Sequence, residues 1–246
     1  MSRLSVIIPA YNTHELTAIH VKACMEATRV PDEIIVVNDG GTEDLKDKLL
    51  ALKPFNTKII YARVDQDITW NYNGACNLGV WISTGDYIIL EDSDHIPGKE
   101  AYENGIKILD TRPELSRVGY NRRIVPLDDV LHKPFERWDM SLTHIGTNVM
   151  VQMLRRELYI TLKGQDERMC GRYGWMGHDW ARRRDTMAGC KGIKSQWFYL
   201  VKDGSSPNMV RGMSRENVAV YRDNMKFKRL QPPRGILNFT YSYAVL

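Results

Sequence analysis

Cysteine is scarce in this sequence, and no two cysteines stand at metal-binding spacing. Its four thiols, Cys24, Cys76, Cys170 and Cys190, are widely separated. A structural zinc site needs clustered thiolates, so this pattern excludes one. Reduced thiols are expected, with Cys24 and Cys76 inside helices as small hydrophobes. Long apolar runs are also missing. The first run is short and is closed by Pro9, which leaves no stretch long enough for the core of a secretory signal. Nowhere does an apolar segment approach the roughly 20 residues that cross a bilayer. The expectation is a soluble, cytoplasmic protein without a transmembrane segment.

What is present is an ordinary globular balance. The chain has 246 residues, 43% hydrophobic and 26% charged, enough for one large domain or one domain with an appendage. The formal charge is +4, and seven of the basic residues fall between Arg211 and Arg234 against only Glu216 and Asp223. That basic segment is either a solvated surface or a peripheral contact with an anionic membrane, at its inner face, or with another polyanion.

The first half alternates strand and helix patterns. Leu4–Pro9, Glu33–Val37, Lys58–Val64 and Asp86–Leu90 read as strands. Helices are expected over Glu15–Thr28, from Thr42 to about Lys53, over Asn73–Ser83 and over Lys99–Asp110. Asn12 with Glu15 forms a capping box for the first, whose buried stripe would be Leu16, Ile19, Ala23 and Ala27. Thr42 caps the second. Alternation of this kind implies an α/β fold with a mostly parallel central sheet flanked by helices. Ligands on such sheets bind beyond the carboxyl ends of the strands, which singles out Pro9–Asn12, Asn38–Gly41 and Glu91–Ile96. The second half is less regular: strands are expected over Val118–Val125, Thr147–Leu154 and Ser195–Lys202, a loop over Pro126–Arg137 and a helix over Asp179–Asp185.

Each strand end carries polar groups. Tyr11 and Asn12 follow the first, and Asp39 follows the second, where it serves either a nucleobase N–H or a plain Asp-Gly turn. After the fourth strand comes Glu91-Asp92-Ser93-Asp94-His95. Two carboxylates one residue apart suit a hard divalent cation, but also suit a helix cap or a solvated turn. Further on, Gly174-Trp175-Met176-Gly177-His178-Asp179-Trp180 runs from a glycine-flexed loop into a helix. An acid there can act as general base, and tryptophans can face sugar rings; equally, the tryptophans can be core and Asp179 a cap.

In order, Ser5–Asn12, Glu33–Gly40, Gly85–Asp94 and Leu162–Glu167 with Gly174–Arg183 resemble the inverting glycosyltransferase family 2, of the GT-A fold. The likeness covers roughly residues 4 to 185. It implies a GT-A domain over 1–210, with a donor half to about residue 97 and an acceptor half from 98, and the basic segment 211–246 packed on it. Pro9, Tyr11, Asn12, Asn77, Asp92 and Ser93 would line the donor site and Asp39 would read the base, uracil first. Asp92-Ser93-Asp94 would be the family's DXD element, with Asp94, and Asp92 beside it, holding Mn2+ or Mg2+. Asp179 would be the base. Trp175, Gly177, His178 and Trp180 would meet an acceptor hydroxyl on a glycan, a lipid-linked intermediate or another polymer. The implied chemistry is a single inverting displacement from a nucleoside-diphosphate sugar.

Three departures accompany the likeness. Cys76 stands where the family often has an arginine, with Arg63 or a basic residue of the tail as a substitute phosphate contact. His178-Asp179 replaces a pair of acids, and no histidine follows His178. Two rival readings remain. A nucleotidyltransferase would want a Gly-rich triphosphate loop after Pro9, which is absent. A non-catalytic carbohydrate-binding or scaffold protein would not need Asp39, Asp94 and Asp179 together.

Overall fold

Three runs of aliphatic residues form the centre of the sheet because no face of them meets water. In the computed structural model, which describes residues 2–42, 44–52, 56–141, 144–145, 150–187, 192–202, 214–233 and 237–246, these are β1 (Leu4–Ala10), β2 (Glu33–Asn38) and β4 (Tyr87–Leu90), buried along their whole lengths. β3 (Lys58–Val64) lies outside β2. Helices α1 (His14–Met25), α2 (Lys46–Ala51) and α3 (Tyr72–Ile82) make the connections, and the order β3-β2-β1-β4 is parallel throughout. Parallel strands need such crossovers. β1, β2 and β4 therefore end at one edge, at Ala10, Asn38 and Leu90.

After β4 the chain continues through β5 (His95–Pro97), α4 (Ala101–Thr111), β6 (Arg117–Pro126), α5 (Leu127–His132), β7 (His144–Ile145), β8 (Gln152–Arg155), α6 (Arg156–Thr161), α7 (Met176–Thr186), β9 (Gly192–Lys202), α8 (Arg215–Lys226) and β10 (Tyr241–Val245). The described strands form one sheet ordered β10-β3-β2-β1-β4-β8-β6-β9-β5, with β7 on β6. β8 runs antiparallel to β4 and β6 antiparallel to β8; β5 is antiparallel to β9, and only β6 and β9 pair in parallel there. The sheet is therefore mixed, and the expectation of a mostly parallel sheet holds for the donor half alone. Beyond β4, strands consecutive in the chain are mostly no longer parallel neighbours in the sheet.

Alternation along the strands splits the core between two faces. Leu4, Val6 and Ile8 pack with Val21 and Cys24 of α1 and with Tyr102 and Leu109 of α4. Ile7, Ile35 and Val37 pack with Ala75, Cys76 and Leu78 of α3, and with Tyr159 and Trp180. Thr17, His20, Val21 and Cys24 form the buried face of α1, while Leu16, Ile19 and Ala23 pack only partly buried against a smaller cluster. The expected capping box is absent as well: α1 starts after Thr13 without a side-chain cap, and Asn12 is turned to another use. α2 begins after Leu45 rather than at Thr42. Part of the expected loop 126–137 is helical, as α5 and a short turn at Phe135–Arg137. Of the strand expected over Thr147–Leu154, the described part is β8; residues 147–149 lie outside the described residues, as do Cys190, Lys53, Arg211 and Arg234.

The described parts of the segment after residue 210 pack on this body. β10 pairs antiparallel with β3, and α8 packs on α7 and on the turn Glu167–Met169. Among the described residues no helix is long and apolar enough to cross a membrane.

Gly79 is where α3 crosses β1, and any Cβ there would run into the side chain of Ile7. Gly79→Ala is expected to lower stability by about 1–3 kcal/mol through overpacking, read as a lower urea midpoint at unchanged m-value.

Candidate active site

Three loops leave the common strand edge side by side, and hydrogen bonds join them. After β1, Pro9 is buried in the strand, and Tyr11 is 46% exposed with its hydroxyl donating to Asp67 at 3.3 Å. Asn12 takes a left-handed φ of 51°, and its Oδ1 accepts the backbone N–H of Thr42 at 3.0 Å. The first loop is thereby tied to the second, which explains why Asn12 does not cap α1. After β2, Asn38 accepts from the Gly41 N–H and donates to the Tyr61 hydroxyl. Gly40 has φ 76°, and a Cβ there would strike the Gln66 carbonyl, so glycine is required.

Asp39 is 5% exposed and its Oδ1 accepts from Asn71 Nδ2 at 2.8 Å. Burial pushes its carboxyl up to about 7; the Asn71 hydrogen bond opposes this, and the nearby Asp67 adds to it. After β4, Glu91 turns inward. Its Oε2 meets His20 Nε2 at 2.6 Å and the Tyr102 hydroxyl at 3.1 Å, all buried beside Cys24. Glu91 thus anchors the acid loop to α1 and α4.

Asp92 Oδ1 accepts from the Tyr72 hydroxyl at 2.5 Å, and Ser93 accepts from the Thr13 hydroxyl at 3.2 Å. Asp94 Oδ1 lies 2.5 Å from His95 Nδ1, and Arg122 reaches His95 Nε2 at 3.2 Å. An arginine only donates, so Nε2 accepts and Nδ1 carries the hydrogen shared with Asp94. Burial raises the Asp92 carboxyl despite the pull of His95. Burial acts the same way on Asp94, but the bond to His95 outweighs it and the carboxyl is lowered. Asp92, Asp94 and His95 present ligand atoms within 4.8 Å of one another. With both ring nitrogens of His95 engaged in that way, the two carboxylates are the groups that fit a hard divalent cation such as Mg2+ or Mn2+.

The acceptor-side residues divide. Trp175 is half-buried with φ 64°, its ring 5.0 Å from those of both His178 and Tyr221, while His178 is exposed and Gly177 lies in the first turn of α7. Trp180 is 1% exposed and packs on Tyr159, so of its two readings the structure takes the core one. Asn77 is likewise withdrawn from the donor. It donates to the Gln165 carbonyl and Glu167, and it accepts from Tyr159 and the Gln165 N–H, which fills all its bonding positions. Asp179 is 1% exposed, with Oδ2 held by Arg183 Nε at 2.7 Å and Oδ1 by Asn224 at 3.0 Å and Arg182 at 3.4 Å. Arg63, offered as a phosphate contact, points its guanidinium at the Gly41 carbonyl.

Several site residues were not singled out from sequence. Asn71, Tyr72 and Asn73 begin α3 and hold Asp39, Asp92 and the Asp166 carbonyl respectively. Three polar residues opening a helix were the available signal. Trp70, left-handed at φ 53°, stacks on Tyr173 at 4.9 Å and joins the donor edge to the loop before α7.

With this geometry in place, the chain was compared with known proteins. A profile of Glycosyl transferase family 2 matches residues 5–185. The chain belongs to that family. An uncharacterized glycosyltransferase of Rickettsia bellii is 34% identical over 95 residues, 39% of this chain and 13% of that protein. Another, of Rickettsia conorii, is 29% identical over 109 residues, 44% of this chain and 17% of that one. The matches thus span under a fifth of these relatives' length. Among solved structures, a mannosyltransferase from Pyrobaculum calidifontis in complex with GDP-Man and Mn2+ superposes with a TM-score of 0.60 at 16% identity, covering 85% of this chain and 58% of that one. S. aureus TarS 1-349 with UDP-GlcNAc gives 0.61 at 12% identity, over 86% and 61%. These likenesses carry the GT-A-like fold. The chain has an α/β architecture with a mixed sheet, and a cluster suited to a divalent cation.

Because the Asp39 carboxyl sits near 7 when folded, the folded chain keeps a proton there that the unfolded chain has lost above its ordinary 3.8. Its contribution to stability therefore declines as pH rises from about 4 to about 7. Asp39→Asn is expected to be stabilising at pH 8 relative to pH 5, by up to about 3 kcal/mol, measured by denaturant melts at both pH values.

Proposed function

We propose that the enzyme transfers a sugar from a UDP-sugar to an acceptor hydroxyl by a single, inverting displacement with a divalent cation at the acid loop. The observation that supports this most is the meeting of Asp39, Asp92 and the acceptor segment on the first turn of α3. Ionised Asp39 accepts the base's N–H. Asn71 fixes the carboxylate through its Oδ1, and the imide N–H of uracil is a single donor suited to its other oxygen. Tyr11, half exposed at the first strand end, covers the base.

Asp92 and Asp94 would hold Mn2+ or Mg2+, whose charge stabilises the departing nucleoside diphosphate. Tyr72 orients Asp92 and His95 orients Asp94, while Glu91 fixes the loop from beneath. On the acceptor side the rings of Trp175, Tyr221 and His178, and those of Trp70 and Tyr173, offer flat faces for sugar rings. Asp179 takes the hydroxyl proton as general base. An ionised carboxylate has about four lone-pair positions; Arg183, Arg182 and Asn224 fill three, leaving one for a hydroxyl. Its burial requires that acceptor binding open the turn Gly174–Gly177.

Incubation with UDP-, GDP- and dTDP-sugars, with and without Mn2+, and assay of released nucleoside diphosphate tests the reading. Release from UDP-sugars only with the cation is expected. Asp94→Asn should lower turnover about 100- to 1,000-fold; release unaffected by chelation would remove the cation from the scheme. Asp179→Asn should bind UDP normally and lose transfer, and full transfer by that variant would dismiss it as the base.

A further inference from the structure

We infer that Asn224, on α8, is a positioning residue that holds Asp179 for proton transfer, so that the active site is completed by a helix beyond the family-matched segment. The inference rests on the reading of Asp179 as general base. The family match ends at residue 185, and α8 begins at Arg215.

The amide of Asn224 is 1% exposed and uses all it has. One Nδ2 hydrogen goes to Asp179 Oδ1 at 3.0 Å and the other to Asp166 Oδ2 at 3.0 Å, while Oδ1 accepts from Arg168 at 2.7 Å. A primary amide can join two carboxylates this way because it has two hydrogens in one plane. A carboxylate at this position would repel both, and an aliphatic side chain would leave both acids short of a donor in a buried site. Arg183 and Arg182 neutralise Asp179 from its own helix. Among the described residues Asn224 is the side chain that fixes it from another element, and with the two arginines it sets which lone pair is left open.

Two turns earlier on the same helix face, Asn217 is fully buried and donates to the carbonyls of Met169, Arg172 and Gly174. Gly174 and Trp175 are both left-handed, at φ 102° and 64°. α8 therefore grips the turn before α7 through Asn217 and the acid within α7 through Asn224. Its other side is open, with Arg222, Met225 and Lys226 exposed.

The test uses the full chain, the UDP-sugar and Mn2+ from the nucleotide-release assay, and titration with UDP plus Mn2+. Asn224→Asp preserves shape and the bond from Arg168 but removes both donated bonds. Its kcat is expected to fall about 10- to 100-fold, with KM for the donor and UDP affinity within about twofold of wild type, as for a group acting only through the base. A lower melting temperature accompanies this. The double variant Asp166→Asn with Asn224→Asp restores the bond between those two positions with its polarity exchanged, but gives Asp179 no donor. It should regain melting temperature without regaining kcat. If kcat returns with stability, or if Asn224→Asp turns over at the wild-type rate, the assignment is overturned. Wild-type chain that releases no nucleotide from any donor removes the underlying reading and this inference with it. Active wild-type chain with an indifferent Asn224→Asp removes the inference alone.

Discussion

The first turn of α3 ties the site together. Asn71, Tyr72 and Asn73 are consecutive, and each side chain leaves the helix in a different direction to hold a different partner: the acid after β2, the acid loop after β4, and the backbone ahead of α7. The turn can do this only because α3 is fixed over the parallel strands, with its apolar side sealed against Ile7, Ile35 and Val37. The glycine at position 79 allows that close seat. Packing of the core and placement of the carboxylates are therefore one constraint.

Beneath that turn, the polar groups are arranged in tiers. Glu91 is sunk among His20, Cys24 and Tyr102, and Asn77 is exhausted by the segment 159–167. Each holds down a loop at the site. Buried polar groups of this kind are costly unless bonded, so their partners are specified along with them. Left-handed Asn12, Trp70 and Trp175 stand at the three loops facing the site. Such conformations persist where neighbouring contacts over-determine them, as the bond from Thr42 to Asn12 and the stacks on Trp70 and Trp175 do here.

Local pattern made the donor half legible. β3 occupies Lys58–Val64, the range read from its β-branched run, and β2 and β4 fall within a residue of their expected bounds. The strand-end loops carrying Tyr11, Asp39 and Asp92–Asp94 follow from that pattern and the parallel rule. What could not be read was direction. Whether Trp180 faces a sugar or Tyr159, and whether Glu91 faces a cation or His20, depends on elements distant in sequence. Asn12 had the spacing of a cap, but a bond to Thr42 decided its place. In the second half β6, α7 and β9 lie where strands and a helix were expected; how they pair escaped because neighbours in the sheet are joined by long excursions, and Asn217 and Asn224 gave no signal in a segment read only by its basic charge.

β10 lies along the outer edge of β3, and the N–H of Leu246 reaches the carbonyl of Ile59. During synthesis, the strands β1 to β4 leave the ribosome long before residues 241–245 do. Until then the flank of β3 stays bare, with its ladder groups open to another nascent chain. An unprotected flank of this kind is a route to aggregation. In the folded chain β10 covers that flank.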